Sequence, residues 1–110
     1  MYLYEISESQ ESSISHTILK SIAKKGIILA RAEKIYDEDC KNGLIWSKGI
    51  RDPNYPDEDT LEGHLQKYTN HTFCTEVPTL GPIKERIKSQ RLIIIKILEE
   101  YTKKFIPCIR

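Results

Sequence analysis

Apolar positions along the chain change their spacing several times, and each spacing predicts an element. Tyr2 to Ile6 is a short strand-like run directly after the first Met, and Ser7 to Ser13 is a polar stretch suited to a loop leading into a helix cap. Ile14, Ile18, Leu19, Ile22 and Ala23 then recur at steps of four and three, the one-sided stripe of an amphipathic helix over 13–25. Lys24 and Lys25 complement the carboxyl end of that helix, and Gly26 supplies a left-handed cap. Ile27 to Ile35 begins as a continuous apolar run and ends in charge, which predicts a strand buried at its start and emerging at its end. The helix would then be a crossover between two strands, right-handed if they run parallel in one sheet.

The texture from 37 to 59 is acidic and carries Pro and Gly, predicting a long irregular loop within the domain. Asn42-Gly43 is a strong turn signal there, and Leu44 to Trp46 fits a short strand. Asp52, Asp57, Glu58 and Asp59 lack the ligand spacing and turn glycine of a calcium loop, so they read as a solvated face. Asp59 or Thr60 then caps a short helix with Leu61, Leu65 and Tyr68 along one side and His64 beside it.

The stretch His71-Thr-Phe-Cys-Thr-Glu-Val-Pro-Thr79 is the one the chain is organised around. It predicts a strand stopped by Pro78, with His71, Phe73, Thr75 and Val77 on one face and Thr72, Cys74 and Glu76 on the other. Glu76 falls at the carboxyl end of this strand, a common place for functional side chains in open α/β sheets. Its bland reading is a carboxylate that reaches solvent or pairs with Lys84 or Arg86. Gly81-Pro82 opens a long helix to Phe105, because proline at the first helical position loses no hydrogen bond. In that helix Ile83, Ile87, Gln90, Ile94, Ile97 and Tyr101 form a stripe, and Leu92, Ile93, Ile95 and Leu98 widen it. A helix apolar around so much of its girth calls for more covering than this chain supplies, the mark of an interface or a missing neighbour.

Composition sets limits on these readings without changing them. The 110 residues, 39% hydrophobic and 30% charged, suit a single small α/β domain over 1–110. Seventeen Lys and Arg against sixteen Asp and Glu leave +1, no basic field for nucleic acid or an anionic membrane. No apolar run reaches the roughly 20 residues of a membrane span, and the start lacks the layout of a signal peptide, so a cytoplasmic location is expected. Cys40, Cys74 and Cys108 are too widely spaced for a disulfide framework or a paired metal knuckle, and read as reduced thiols. His16 lies off the apolar stripe of its helix, and His71 with Cys74 falls short of a closed zinc site.

The run Thr72 to Thr79, followed by Pro82-Ile-Lys-Glu-Arg-Ile-Lys-Ser-Gln90 and an apolar helix, resembles the carboxyl-terminal part of zinc-dependent metallocarboxypeptidases. The group it resembles includes succinylglutamate desuccinylase and aspartoacylase relatives, and the matching residues are Phe73, Glu76, Pro78, Glu85, Arg86 and Gln90. The resemblance implies a hydrolase of amide bonds in which Glu76 is the catalytic base beside a zinc-activated water. Zinc is the cofactor of the complete family domain, but the H-x-x-E pair that binds it has no counterpart here: Leu19, Lys67 and Cys74 stand three residues after His16, His64 and His71. No metal ligand is therefore assigned to this chain, which would be inactive alone.

Two readings compete. One is the later part of a metallocarboxypeptidase or N-acyl amino acid deacylase, completed by a second chain that brings the zinc-binding half. The other is a non-catalytic interaction module or remnant that self-associates through the 82–105 helix. The expected fold is α/β, three-layer, with a mostly parallel or mixed sheet and flanking helices, an incomplete part of a larger domain under the first reading.

Overall fold

The computed structural model describes residues 1–10, 13–55, 60–77 and 81–106. They form a mixed α/β fold around a three-stranded sheet in the order β4-β1-β5, with β1 (Tyr2–Ile6) in the middle. β4 (Leu44–Ser47) runs parallel to β1, with Leu3 opposite Leu44, and β5 (Thr72–Glu76) runs antiparallel, with Tyr2 opposite Glu76. A separate two-stranded ribbon pairs β2 (Lys34–Ile35) with β3 (Glu38–Asp39).

One face of the sheet is covered by α1 (Ser15–Ala23), which packs over β1 and β4, and α3 (Ile83–Phe105), which packs over β5 and against α1. Leu3 and Leu44 from the sheet, Ile14, Ile18, Leu19 and Ile22 from in and around α1, and Ile93 from α3 make the core between them. The expected stripe of the first helix is thus its buried side. Its carboxyl end closes as expected at Gly26, where φ is +90°: Gly26 N–H donates to the Ala23 carbonyl and Ile27 N–H to that of Ile22. This double bond is the glycine-terminated motif that satisfies the last carbonyls of a helix, and Ile27 packs back on the core.

The run Ile27–Ile35 is not the strand that its apolar start predicts. The place beside β1 belongs to β4, whose approach is fixed by a tight turn at Asn42 (φ 53°) and Gly43 (φ 83°), with Lys41 and Leu44 exchanging both backbone hydrogen bonds. The 27–30 segment bonds to the residue before β1, through Ala30 N–H to the Met1 carbonyl at 2.7 Å, Ile27 and Leu29 pack on the core, and Ile28 stands 78% exposed. The crossover helix therefore connects β1 to β4. Within segment 37–59, expected as irregular loop, β4 matches the short strand expected at Leu44 to Trp46, while β3 and a 3-10 turn at Gly49–Arg51 are additional. Asp57, Glu58, Asp59, Pro78, Thr79 and Cys108, for which the sequence carries expectations, lie outside the described residues.

The short helix α2 (Leu61–Leu65) is capped by Thr60, whose Oγ1 accepts from Gly63 N–H at 3.1 Å. Its apolar residues face outward, against expectation: Leu61 is 71% and Tyr68 76% exposed, while Gly63 and Gln66 are buried. The amide of Gln66 explains the inversion. Its Oε1 accepts from Ile50 N–H at 2.7 Å and its Nε2 donates to the Tyr55 hydroxyl at 3.2 Å, so a polar clamp, not a leucine, ties α2 to the 3-10 turn. Gly49 admits the clamp: at φ +63° an added Cβ would come within 1.9 Å of Gln66 Oε1 and 2.6 Å of Ile6 Cγ2.

Candidate functional site

β5 holds its expected faces. His71 and Phe73 stack with ring centroids 4.6 Å apart on the α3 side, and Thr75 Oγ1 donates to Gln90 Oε1 while Gln90 Nε2 donates back to the Thr75 carbonyl. This double bond ties β5 to α3 and explains a glutamine within an apolar stripe. On the opposite face Glu76 is exposed at the strand end and lines a cleft of about 490 Å³ with Tyr2, Met1, Ala30 and Val77. Burial, and then the nearby Glu76 carboxylate, push the Tyr2 phenol well above its ordinary range, so it stays protonated beside Glu76.

Because β5 is antiparallel, Glu76 sits at the amino-terminal edge of β1 and β4, not in the carboxyl-end crevice of a parallel sheet where α/β sites gather. Neither Lys84 nor Arg86 pairs with it among the described residues. Glu85 is exposed on the first turn of α3, and Arg86 is half-buried, its Nε buried and without an acceptor among the described residues. On the Glu76 face Cys74 is half-buried; burial, then Glu62 and Glu76, raise its thiol pKa, which leaves it a poor nucleophile at neutral pH.

The described donors do not form a zinc site. His16 and His64 are exposed on separate helices, His71 lies on the face opposite Glu76, and no three His, Cys, Asp or Glu side chains gather among the described residues. His71 is instead committed to Glu5. Its Nε2 lies 2.5 Å from Glu5 Oε2, with both side chains buried, and its ring also meets Tyr101 and Phe105 edge-on at 5.5 Å.

Glu5 is the polar centre that the sequence reading missed. It is fully buried in β1, and its carboxylate accepts from Ser13 Oγ at 2.5 Å, Ser15 Oγ at 2.6 Å and Ile14 N–H at 3.3 Å. The carboxylate thereby fills the role expected of a serine cap, holding the positive end of α1 from outside the helix. Burial alone would raise the Glu5 pKa, but the hydrogen bonds from His71, Ser13 and Ser15 outweigh it and hold the carboxyl below its usual range. The serine, histidine and carboxylate do not make a hydrolytic triad, because both hydroxyls donate to the carboxylate and neither is paired with the imidazole. The network is a three-way staple among β1, α1 and β5.

The other outstanding surface lies on α3. Ile83, Ile87, Ile94 and Leu98 are 50–63% exposed, at steps of four, seven and four, and therefore share one side of the helix. Ile93, Ile97 and Gln90 face the core and β5, and α1 covers the inner flank. The exposed stripe is thus the outer flank, next to the edge of β5 that has no strand partner among the described residues. Comparison with protein-family models, with curated proteins and with solved structures returns no match.

Proposed function

We propose that this chain is a non-catalytic interaction module that pairs with a second copy of itself along the outer flank of α3 and the free edge of β5. The observation that carries this reading is the palindromic spacing of the exposed stripe. With two α3 helices antiparallel, Ile83 meets Leu98 of the other copy and Ile87 meets Ile94, each contact occurring twice. The same arrangement brings Lys84 within reach of the second copy's Glu99, whereas a parallel pair would set Lys84 and Arg91 against their own copies. A specific interface of this kind buries roughly 1,000 Å² or more in total, so stripe and strand edge are both required of the pair. The fold reads as three layers, with α1 and α3 on one side of the sheet and α2 with the 3-10 turn on the other.

Sedimentation equilibrium tests the pairing. A dimer with a dissociation constant of about 100 μM or tighter is expected, and the double variant Ile87→Glu/Ile94→Glu should be monomeric and folded. A wild-type monomer throughout that range would refute the reading.

A second reading keeps the family resemblance. Here the chain is the later part of a zinc-dependent amide hydrolase, and Glu76 is the base that a zinc-bearing partner chain completes. Its support is that Glu76 is an open carboxylate without an ion-pair partner among the described residues, lining a cleft beside a protonated phenol. Zinc binding and hydrolysis that appear only in a mixture with such a partner, and hydrolysis lost on Glu76→Gln, would establish it.

A further inference from the structure

A second groove lies between the exit of α1 and the first half of α3, outside the exposed stripe and adjoining the Glu76 cleft, with which it shares Met1, Ile28 and Val77. Its volume of about 580 Å³ falls within the range of small-ligand pockets, roughly 300–1,000 Å³. Two kinds of group line it. Met1, Ile27, Ile28, Val77, Leu92 and Ile95 give it an apolar wall, with Ile28 78% and Ile95 44% exposed on opposite sides. Lys25, Arg86, Lys88 and Arg91 bring four cations against the single carboxylate of Glu85, and none of the four is in an ion pair among the described residues. Arg86 adds an independent sign: its Nε is buried and has no acceptor among the described residues. A buried guanidinium N–H without a partner is costly, and it marks a position where an acceptor would be bound strongly.

The lining also restricts the ligand. Among the described residues it contains no aromatic ring on which a base could stack, and Ser89 is the one hydroxyl-bearing side chain, which disfavours nucleotides and sugars. An apolar wall combined with unpaired cations matches a molecule with a hydrocarbon tail and an anionic head. We propose that this groove binds a free single-chain fatty carboxylate, its tail against Ile28, Leu92 and Ile95 and its head on Arg86. The guanidinium donates to the carboxylate through Nε and an Nη in the two-pronged geometry that arginine shares with carboxylates. Lys25 and Lys88, both exposed, add charge at the rim.

Calorimetric titration with dodecanoate tests this, using dodecanol and dodecyltrimethylammonium as probes of equal chain length. Saturable binding of one dodecanoate per chain is expected, at least tenfold tighter than either control. Arg86→Ala should weaken dodecanoate about tenfold and leave dodecanol unchanged, the scale of one lost charged hydrogen bond. Should Arg86→Ala fail to fold, Lys25→Glu/Lys88→Glu, at exposed sites outside the α3 stripe, should weaken dodecanoate several-fold with the melting temperature unchanged. Equal affinity for all three probes, insensitivity to both variants, or adhesion to phosphatidylglycerol vesicles with no saturable uptake of free dodecanoate would each overturn the proposal.

Discussion

Glu5 concentrates the electrostatic stakes of the fold in a single side chain. Removing it leaves two serine hydroxyls, the Ile14 amide at the cap of α1 and the buried His71 ring without their acceptor. Glu5→Ala should therefore cost about 3–5 kcal/mol in denaturant titrations, the scale of a broken buried pair. The pH dependence follows from its depressed pKa. A carboxyl that ionises more readily folded than unfolded contributes stability at neutral pH, and that contribution is lost only as pH falls below the ordinary carboxylate range, roughly pH 4. Acid unfolding followed by circular dichroism should be steep there in the wild type and shallower in Glu5→Gln. The sequence conceals this role because a lone Glu in Tyr-Leu-Tyr-Glu-Ile reads as the solvent side of an alternating strand. Its only sign is the serine-rich run that follows, read as a loop when it is the donor set. Glu76 was legible in position, at the end of β5, but its surroundings were not, since nothing local to His71–Thr79 states that β5 runs antiparallel.

Among the elements, those whose periodicity serves burial were the most legible. The stripe of α1, its glycine stop, the Asn42-Gly43 turn and the two faces of β5 follow from local spacing and turn chemistry. The failures share a cause, for at Ile27–Ile35 and at α2 a long-range partner decides the outcome: β4 takes the place beside β1, and Gln66 turns the leucines outward. α3 offers a sharp test of the difference between covered and uncovered apolar residues. Ile93 is 0% exposed and its neighbour Ile94 is 50% exposed. Ile93→Ala should cost about 2–5 kcal/mol, while Ile94→Ala in dilute protein should cost less than about 1 kcal/mol, as measured by chemical denaturation.

For the whole molecule, the uncovered flank of α3 couples stability to concentration. A chain that buries this flank against its own copy should melt at a temperature that rises with protein concentration, by the mass action of folded dimer over unfolded monomer. Calorimetry across a hundredfold dilution series checks this. Ile87→Glu/Ile94→Glu should abolish the dependence, and a flat series for the wild type would count against the pairing.

The position of β1 in the sheet has a consequence for the order in which the molecule is assembled during synthesis. Of the three strands of this sheet the central one is made before the others, and its neighbours come some forty and seventy residues later in the chain. Leaving the ribosome, Tyr2–Ile6 has both ladder edges open, and it cannot close the second until residue 76 has emerged. Glu5 waits just as long for His71. The nascent chain thus carries an unpaired apolar strand with a charge one residue from its end, and that charge opposes premature pairing between neighbouring nascent chains until the native imidazole arrives.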